Sequence, residues 1–148
     1  MIVWVDEDER TTFPSQLLLR KKGYEVELVA NATDGYQCIL SRCRSGLDFA
    51  IIDVMLTQGD DQVAFSDQTT RNGVITGLIL LDRLLEHLPN YPWKDKALIF
   101  SRASDQAIVR QIENYEARHG IKYLRKSNEL RATDFVKWLH ENGFVANE

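Results

Sequence analysis

The chain has 148 residues, 44% of them apolar and 27% charged, with a formal net charge of −4. That length suits one globular domain with a substantial core, and the acidic balance lacks the basic footprint of direct nucleic-acid binding. No apolar stretch nears a bilayer span and the amino terminus has no basic region followed by a cleavage site, so a soluble cytoplasmic protein without membrane contact is expected. Cys38 and Cys43 have neither CxxC spacing nor metal-ligand companions and read as reduced, packed thiols, and the scattered His87, His119 and His140 make no zinc site.

Taken in chain order, "IVWV" (2–5) is a short apolar run that ends abruptly in acid, and "YEVELVA" (24–30) alternates, so both predict strands. Between them "TTFPSQLLLRKKG" predicts a helix with Thr at a capping position, Pro in the first turn, basic residues at the end and Gly23 beyond. "TDGYQCILSRCRSG" predicts a second helix. "LDFAIIDVML" predicts a third strand, apolar almost throughout as expected when both faces are covered. The polar stretch "TQGDDQVAFSDQTTRNG" predicts a long loop closing in Asn72-Gly73. Helical spacing resumes at Val74, Leu78, Leu81, Leu85 and Leu88 before Pro89. A fourth strand, "KALIFS", is followed by a helix that Ser104 and Asp105 can cap, Ser104 serving that role better than Ser101, ending near Gly120; "IKYLRK" is a fifth strand. The last helix carries Leu130, Phe135, Trp138 and Leu139, and Trp4, Trp93 and Trp138 are expected to pack in the core. Five strands alternating with five helices predict a doubly wound parallel α/β sheet joined by right-handed crossovers. The closing "ENGFVANE" is expected to lead into no second domain.

In such sheets the functional crevice lies at the carboxyl ends of the strands. Strand one ends in Asp6 and Glu7 with Asp8 following, strand three in Asp53, strand four in Ser101 and strand five in Lys126. Each residue alone has an ordinary reading: a turn or helix cap for the acids and Ser101, surface charge for Lys126. Converging carboxylates, however, repel unless a cation neutralises them. Mg²⁺ suits oxygen ligands and is often completed by substrate phosphate. Lys126 then offers a point charge for a phosphoryl oxygen, Ser101 a hydrogen bond, and Asp53 a nucleophile able to form an acyl phosphate.

The segments "VWVDED", "GYEVELVANATDGYQCIL", "AIIDVML", "LIFSRAS" and "YLRKS", in this order and across nearly the whole chain, resemble the receiver domain of two-component response regulators, of the stand-alone type. The resemblance implies a flavodoxin-like fold with strand order 2-1-3-4-5 over residues 1–148, with an insertion at about 57–72. It implies that Asp53 is the phosphoacceptor, that Asp6 and Glu7 are the acidic pair binding Mg²⁺ together with Asp53 and the Met55 backbone carbonyl, and that Ser101 and Lys126 are the hydroxyl and lysine of the site. Tyr123, three residues before the lysine, matches the switch aromatic. The implied function is a phosphorylation-dependent switch, not a turnover enzyme. A sensor histidine kinase or phosphotransfer protein would be the donor, a downstream target protein or onward relay the readout, and a homodimer would pair through the fourth and fifth helices.

Several residues depart from the family pattern. Thr57 and Ser127 stand where proline is usual, so no cis peptide is expected after Lys126. Arg102 replaces a small residue and could pair with phosphate or cover it. The insertion, with Asp60, Asp61 and Arg71, is expected to shield the site or form a partner surface. Two other classes compete. Hydrolases of the haloacid dehalogenase type need a second Asp two residues after the nucleophile, where this chain has Met55. A pseudo-receiver, acting as a phosphorylation-independent binding module, would keep the fold without the chemistry.

Overall fold

A computed structural model describes residues 1–146, leaving the last two positions of the "ENGFVANE" segment outside the described residues. Five strands form one parallel sheet in the order β2-β1-β3-β4-β5: β1 (Ile2–Val5), β2 (Val26–Val29), β3 (Phe49–Ile52), β4 (Ala97–Ser101) and β5 (Lys122–Arg125). The five long helices are α1 (Glu9–Lys21), α2 (Ala32–Ser45), α4 (Thr76–His87), α6 (Gln106–His119) and α7 (Ala132–Glu141), and two four-residue helices, α3 (Asp67–Thr70) and α5 (Trp93–Lys96), complete the order.

Side-chain alternation along the three central strands divides the core into two layers. Val3, Val5, Ala50, Ile52, Ala97 and Ile99 point to the side packed by residues of α2, α4 and α6. Ile2, Trp4, Phe49, Ile51, Leu98 and Phe100 point to the side packed by α1 and α7. The second layer is aromatic, with Trp4 stacked on Phe135 at 5.4 Å between ring centroids and Phe100 tilted against Phe135 at 4.3 Å. Registering Val5 beside Ile52 and Val29 brings the ends of β1, β2 and β3 to one level. The first residues past two of those strands, Asp6 and Asp53, are thereby neighbours at the carboxyl edge.

Local boundaries differ from the sequence reading for identifiable reasons. Helix α1 begins at Glu9 because Asp8, not a threonine, accepts from the Thr11 N–H, which places Pro14 inside the helix instead of in its first turn. The cap of α6 is Asp105, which accepts from the N–H groups of Ala107 and Ile108; Ser104 does not serve. Strand β3 stops at Ile52, one residue before Asp53, whose N–H still donates to the Val5 carbonyl at 3.0 Å. The stretch after it is not a bare loop: it holds α3, capped by Ser66, and reaches α4 through Arg71, Asn72 and Gly73, three successive residues at φ of 53°, 57° and 91°. Left-handed backbone at two non-glycine residues is strained, and Thr70 stabilises it by accepting from the Gly73 N–H while donating to the Ser66 carbonyl. Among the described residues no peptide bond is cis and no helix is long and apolar enough to cross a membrane.

Candidate phosphoacceptor site

The central feature is a buried ammonium between two carboxylates. Lys126 Nζ lies 2.5 Å from Asp6 Oδ2 and 3.0 Å from Asp53 Oδ2. Asp6 and Lys126 have side-chain exposures of 0% and 7%, and Asp53 13%, so water screens the pairs weakly and only Asp53 is open to a reactant. Two strand ends and the loop after β5 supply the three groups, and the backbone ties that loop to the sheet, the Lys126 N–H donating to the Ser101 carbonyl at 2.8 Å. Each carboxylate is also held by its own turn: Asp6 Oδ1 accepts from the Asp8 N–H at 2.9 Å and Asp53 Oδ1 from the Val54 N–H at 2.8 Å.

The electrostatics follow from burial and proximity. Desolvation pushes the Asp6 carboxyl above its usual range; Lys126 opposes this and the nearby Asp53 charge adds to it. Burial would depress Lys126, but the charges of Asp53 and Asp6 outweigh it and hold the ammonium above the usual lysine value. Two acids sharing one ammonium leave one negative charge unbalanced.

The structure brings Asp6, Asp53 and Lys126 into contact and places the other expected residues around them. Ser101 is fully buried at the end of β4, beside β3, and its Oγ accepts from the Ala103 N–H at 3.3 Å. Met55 projects an exposed side chain from the turn after Asp53, and no hydrogen bond to its carbonyl occurs among the described residues. Glu7 is turned aside: its Oε2 accepts from the Thr57 hydroxyl at 2.5 Å. Tyr123 lies half-buried on β5 against the α2/α4/α6 layer, its hydroxyl enclosed and without a hydrogen-bond partner among the described residues. Arg102 reaches neither Asp53 nor the acids and donates instead to Asn128 Oδ1 at 3.0 Å.

The donor set fits Mg²⁺ in kind. It is all oxygen, and two carboxylates with one backbone carbonyl match the one or two carboxylates that this ion takes while keeping waters. Among the described residues no three His, Cys, Asp or Glu side chains converge as a metal group, because Glu7 is held by Thr57 and Asp8 caps α1. The candidate ligands are therefore Asp6, Asp53 and the Met55 carbonyl, with Glu7 one hydrogen bond away.

Sequence reasoning missed two residues that shape this end of the sheet. Gly77 donates its N–H to the Val54 carbonyl at 2.8 Å, and a Cβ built on it would stand 1.9 Å from the Asp53 carbonyl oxygen. Only glycine lets α4 approach the Asp53 turn so closely, and a glycine inside an apolar helical pattern is the signal that could have found it. Thr57 was noted for replacing proline; its bond to Glu7 is a long-range pairing that no local pattern encodes.

The fold is that of CheY-like receiver domains. A response regulator receiver domain protein from Clostridium thermocellum superposes with a TM-score of 0.64 at 17% identity, covering 96% of this chain and 92% of that one. A receiver domain protein (CheY-like) from Methanospirillum hungatei JF-1 gives 0.60 at 19% identity, over 95% and 90% of the two chains. The signal receiver domain of an HD domain-containing protein from Pseudomonas fluorescens Pf-5 gives 0.63 at 20%, over 95% and 91%. No protein-family profile and no curated protein sequence matches the chain.

Proposed function

We propose that the protein is a phosphorylation-dependent signalling switch of a two-component phosphorelay. The observation that carries this reading is the shared ammonium: Lys126 binds Asp6 and Asp53 together, leaving Asp53 the one member of the triad with an open side. In the proposed step an Asp53 carboxylate oxygen forms a bond to phosphorus as the phosphorus–nitrogen bond to the donor's imidazole breaks, and the departing imidazole keeps the electron pair and gains a proton from water. Lys126 pairs with a phosphoryl oxygen and the Ser101 hydroxyl, whose oxygen accepts from the Ala103 N–H, donates its own hydrogen to another. Mg²⁺ held by Asp6, Asp53 and the Met55 carbonyl would supply positive charge for the remaining phosphoryl oxygens.

The donor is a partner histidine kinase or phosphotransfer protein, and the readout is a downstream target protein or onward relay. Movement of Ser101 and inward rotation of Tyr123 would shift the population of the surface made by α6, β5 and α7. The Tyr123 hydroxyl, buried without a partner, supports a side chain with a second position to occupy. Incubation with Mg²⁺ and a small acyl phosphate, read by intact mass, tests the reading: one added phosphoryl group that needs Mg²⁺ and is lost in Asp53→Asn is expected. No adduct, repeated with a cognate donor, makes the protein a phosphorylation-independent binding module.

A further inference from the structure

A cavity of about 160 Å³ lies between the amino-terminal parts of α1 and α7. Lys126 lines it, so the same side chain borders both this space and the carboxylate pair. Phe100, Phe135 and Leu130 give it apolar walls, and Pro14 adds a ring that carries no N–H. Trp4 also lines the cavity; it is fully buried, stacks on Phe135, and its indole N–H has no hydrogen-bond partner among the described residues. An unmade hydrogen bond at a buried donor is destabilising, and an indole N–H donates only, so what is missing beside it is an acceptor.

Two guanidinium groups border the cavity. Arg102 and Arg131 line it with Lys126, and Arg131 is the residue from which α7 starts, with no side chain capping the first turn's N–H groups. The acid in that turn, Asp134, is occupied by the Arg131 backbone N–H at 3.0 Å. Arg131 and Arg102, the latter also donating to Asn128 Oδ1, therefore border a space with aromatic walls beside a helix amino terminus, while the Lys126 ammonium is already shared by Asp6 and Asp53.

We infer that this cavity binds a small organic anion with an apolar ring, of the aryl phosphate, phosphonate or carboxylate class. The ring would pack on Phe135, Leu130 and Pro14, while the acid would face the Arg102 and Arg131 guanidinium groups and an acceptor atom would take the Trp4 N–H. The volume holds roughly ten non-hydrogen atoms at protein packing density, which limits the ligand to a single ring with one acidic group. Binding there sets a third anion beside Lys126; that this bears on phosphorylation rests on the phosphoacceptor reading above, whereas the site itself does not.

The test is a ¹H–¹⁵N titration of the whole protein with phenylphosphonate, whose phosphorus–carbon bond makes it no phosphoryl donor, so the result is independent of whether Asp53 is phosphorylated. Expected is a saturable downfield shift of the Trp4 indole N–H with shifts at Ala132 and Arg131. The Trp93 indole, already donating to the Leu88 carbonyl, should stay fixed. Arg131→Gln, an exposed change, should weaken binding about tenfold, the loss of one charged hydrogen bond, and Ala132→Leu should block the space. A Trp4 signal unmoved by phenylphosphonate overturns the site. An equal shift with inorganic phosphate overturns it as an adventitious ion only, and an equal shift with benzyl alcohol shows that the cations play no part.

Discussion

At Asp53 the chain passes from a region held by buried charge to one held by hydrogen bonds that are mostly neutral and half-buried. On one side, Asp6, Asp53 and Lys126 are fixed by three strand ends and by mutual attraction in a place where water barely enters. On the other, residues 57–75 run over the amino end of α2 through polar pairs: the Ala32 and Thr33 N–H groups donate to the carbonyls of Thr57 and Gln58, the Thr33 hydroxyl accepts from the Asp61 N–H, and Gln58 donates to Asp67 and Thr70. Phe65 is the large side chain it buries completely. The first kind of region is costly to disturb and keeps a reactive group in place; the second exchanges its partners with solvent at small cost and suits a segment that a partner protein rearranges.

The sharpest way to break this contrast is to remove the ammonium. Lys126→Met leaves two buried carboxylates unpaired and is expected to cost about 3–5 kcal/mol of stability in urea unfolding. A companion pH series follows from the raised Lys126 value. Its contribution is complete below the ordinary lysine value of 10.5 and is lost as pH rises through the higher folded value. In metal-free buffer the urea midpoint should therefore fall above about pH 10.5 in the parent, and that particular fall should vanish in Lys126→Met.

Next in size is Gly77→Ala, whose methyl group meets the Asp53 carbonyl. Overpacking against backbone is expected to cost about 1–3 kcal/mol, with altered amide shifts at Asp53 and Val54 reporting a displaced turn. Smallest is Thr57→Val, which deletes the exposed bond to Glu7. It should cost about 1 kcal/mol or less, leave the shifts of Lys126 unchanged, and free the Glu7 carboxylate, read as tighter Mg²⁺ binding by calorimetry. An effect of Thr57→Val as large as that of Lys126→Met would erase the distinction between the two regions.

The sheet and its strand ends were legible because β3 and β4 are continuous apolar runs and β1 stops abruptly at acid, patterns set by burial alone. The same reasoning located Asp6, Asp53, Ser101 and Lys126, since in a parallel sheet the last residue of each strand lies at one edge. It failed where competing short-range partners decide the outcome. Two acids and two threonines near the start of α1 offered several caps, and the Asp8 geometry decided among them. Gly77 resembled an ordinary helix residue, because its role depends on a carbonyl 24 positions away in sequence. The Thr57–Glu7 bond spans 50 residues and joins two loops, where no periodicity exists to read.

The buried ion pair has a consequence for the order in which the molecule can be made. Asp6 and Lys126 are 120 residues apart, so on a ribosome Asp6 emerges 120 residues before its counter-ion. Once β3 has emerged, Asp6 and Asp53 can stand side by side at the edge of a three-stranded sheet, with like charges and no ammonium between them. A three-stranded sheet formed at that stage would repel itself at one end, and closing the loop to Lys126 would relieve it. Of the five strands, β5 is therefore the one that brings the charge balancing the carboxylates at the ends of β1 and β3.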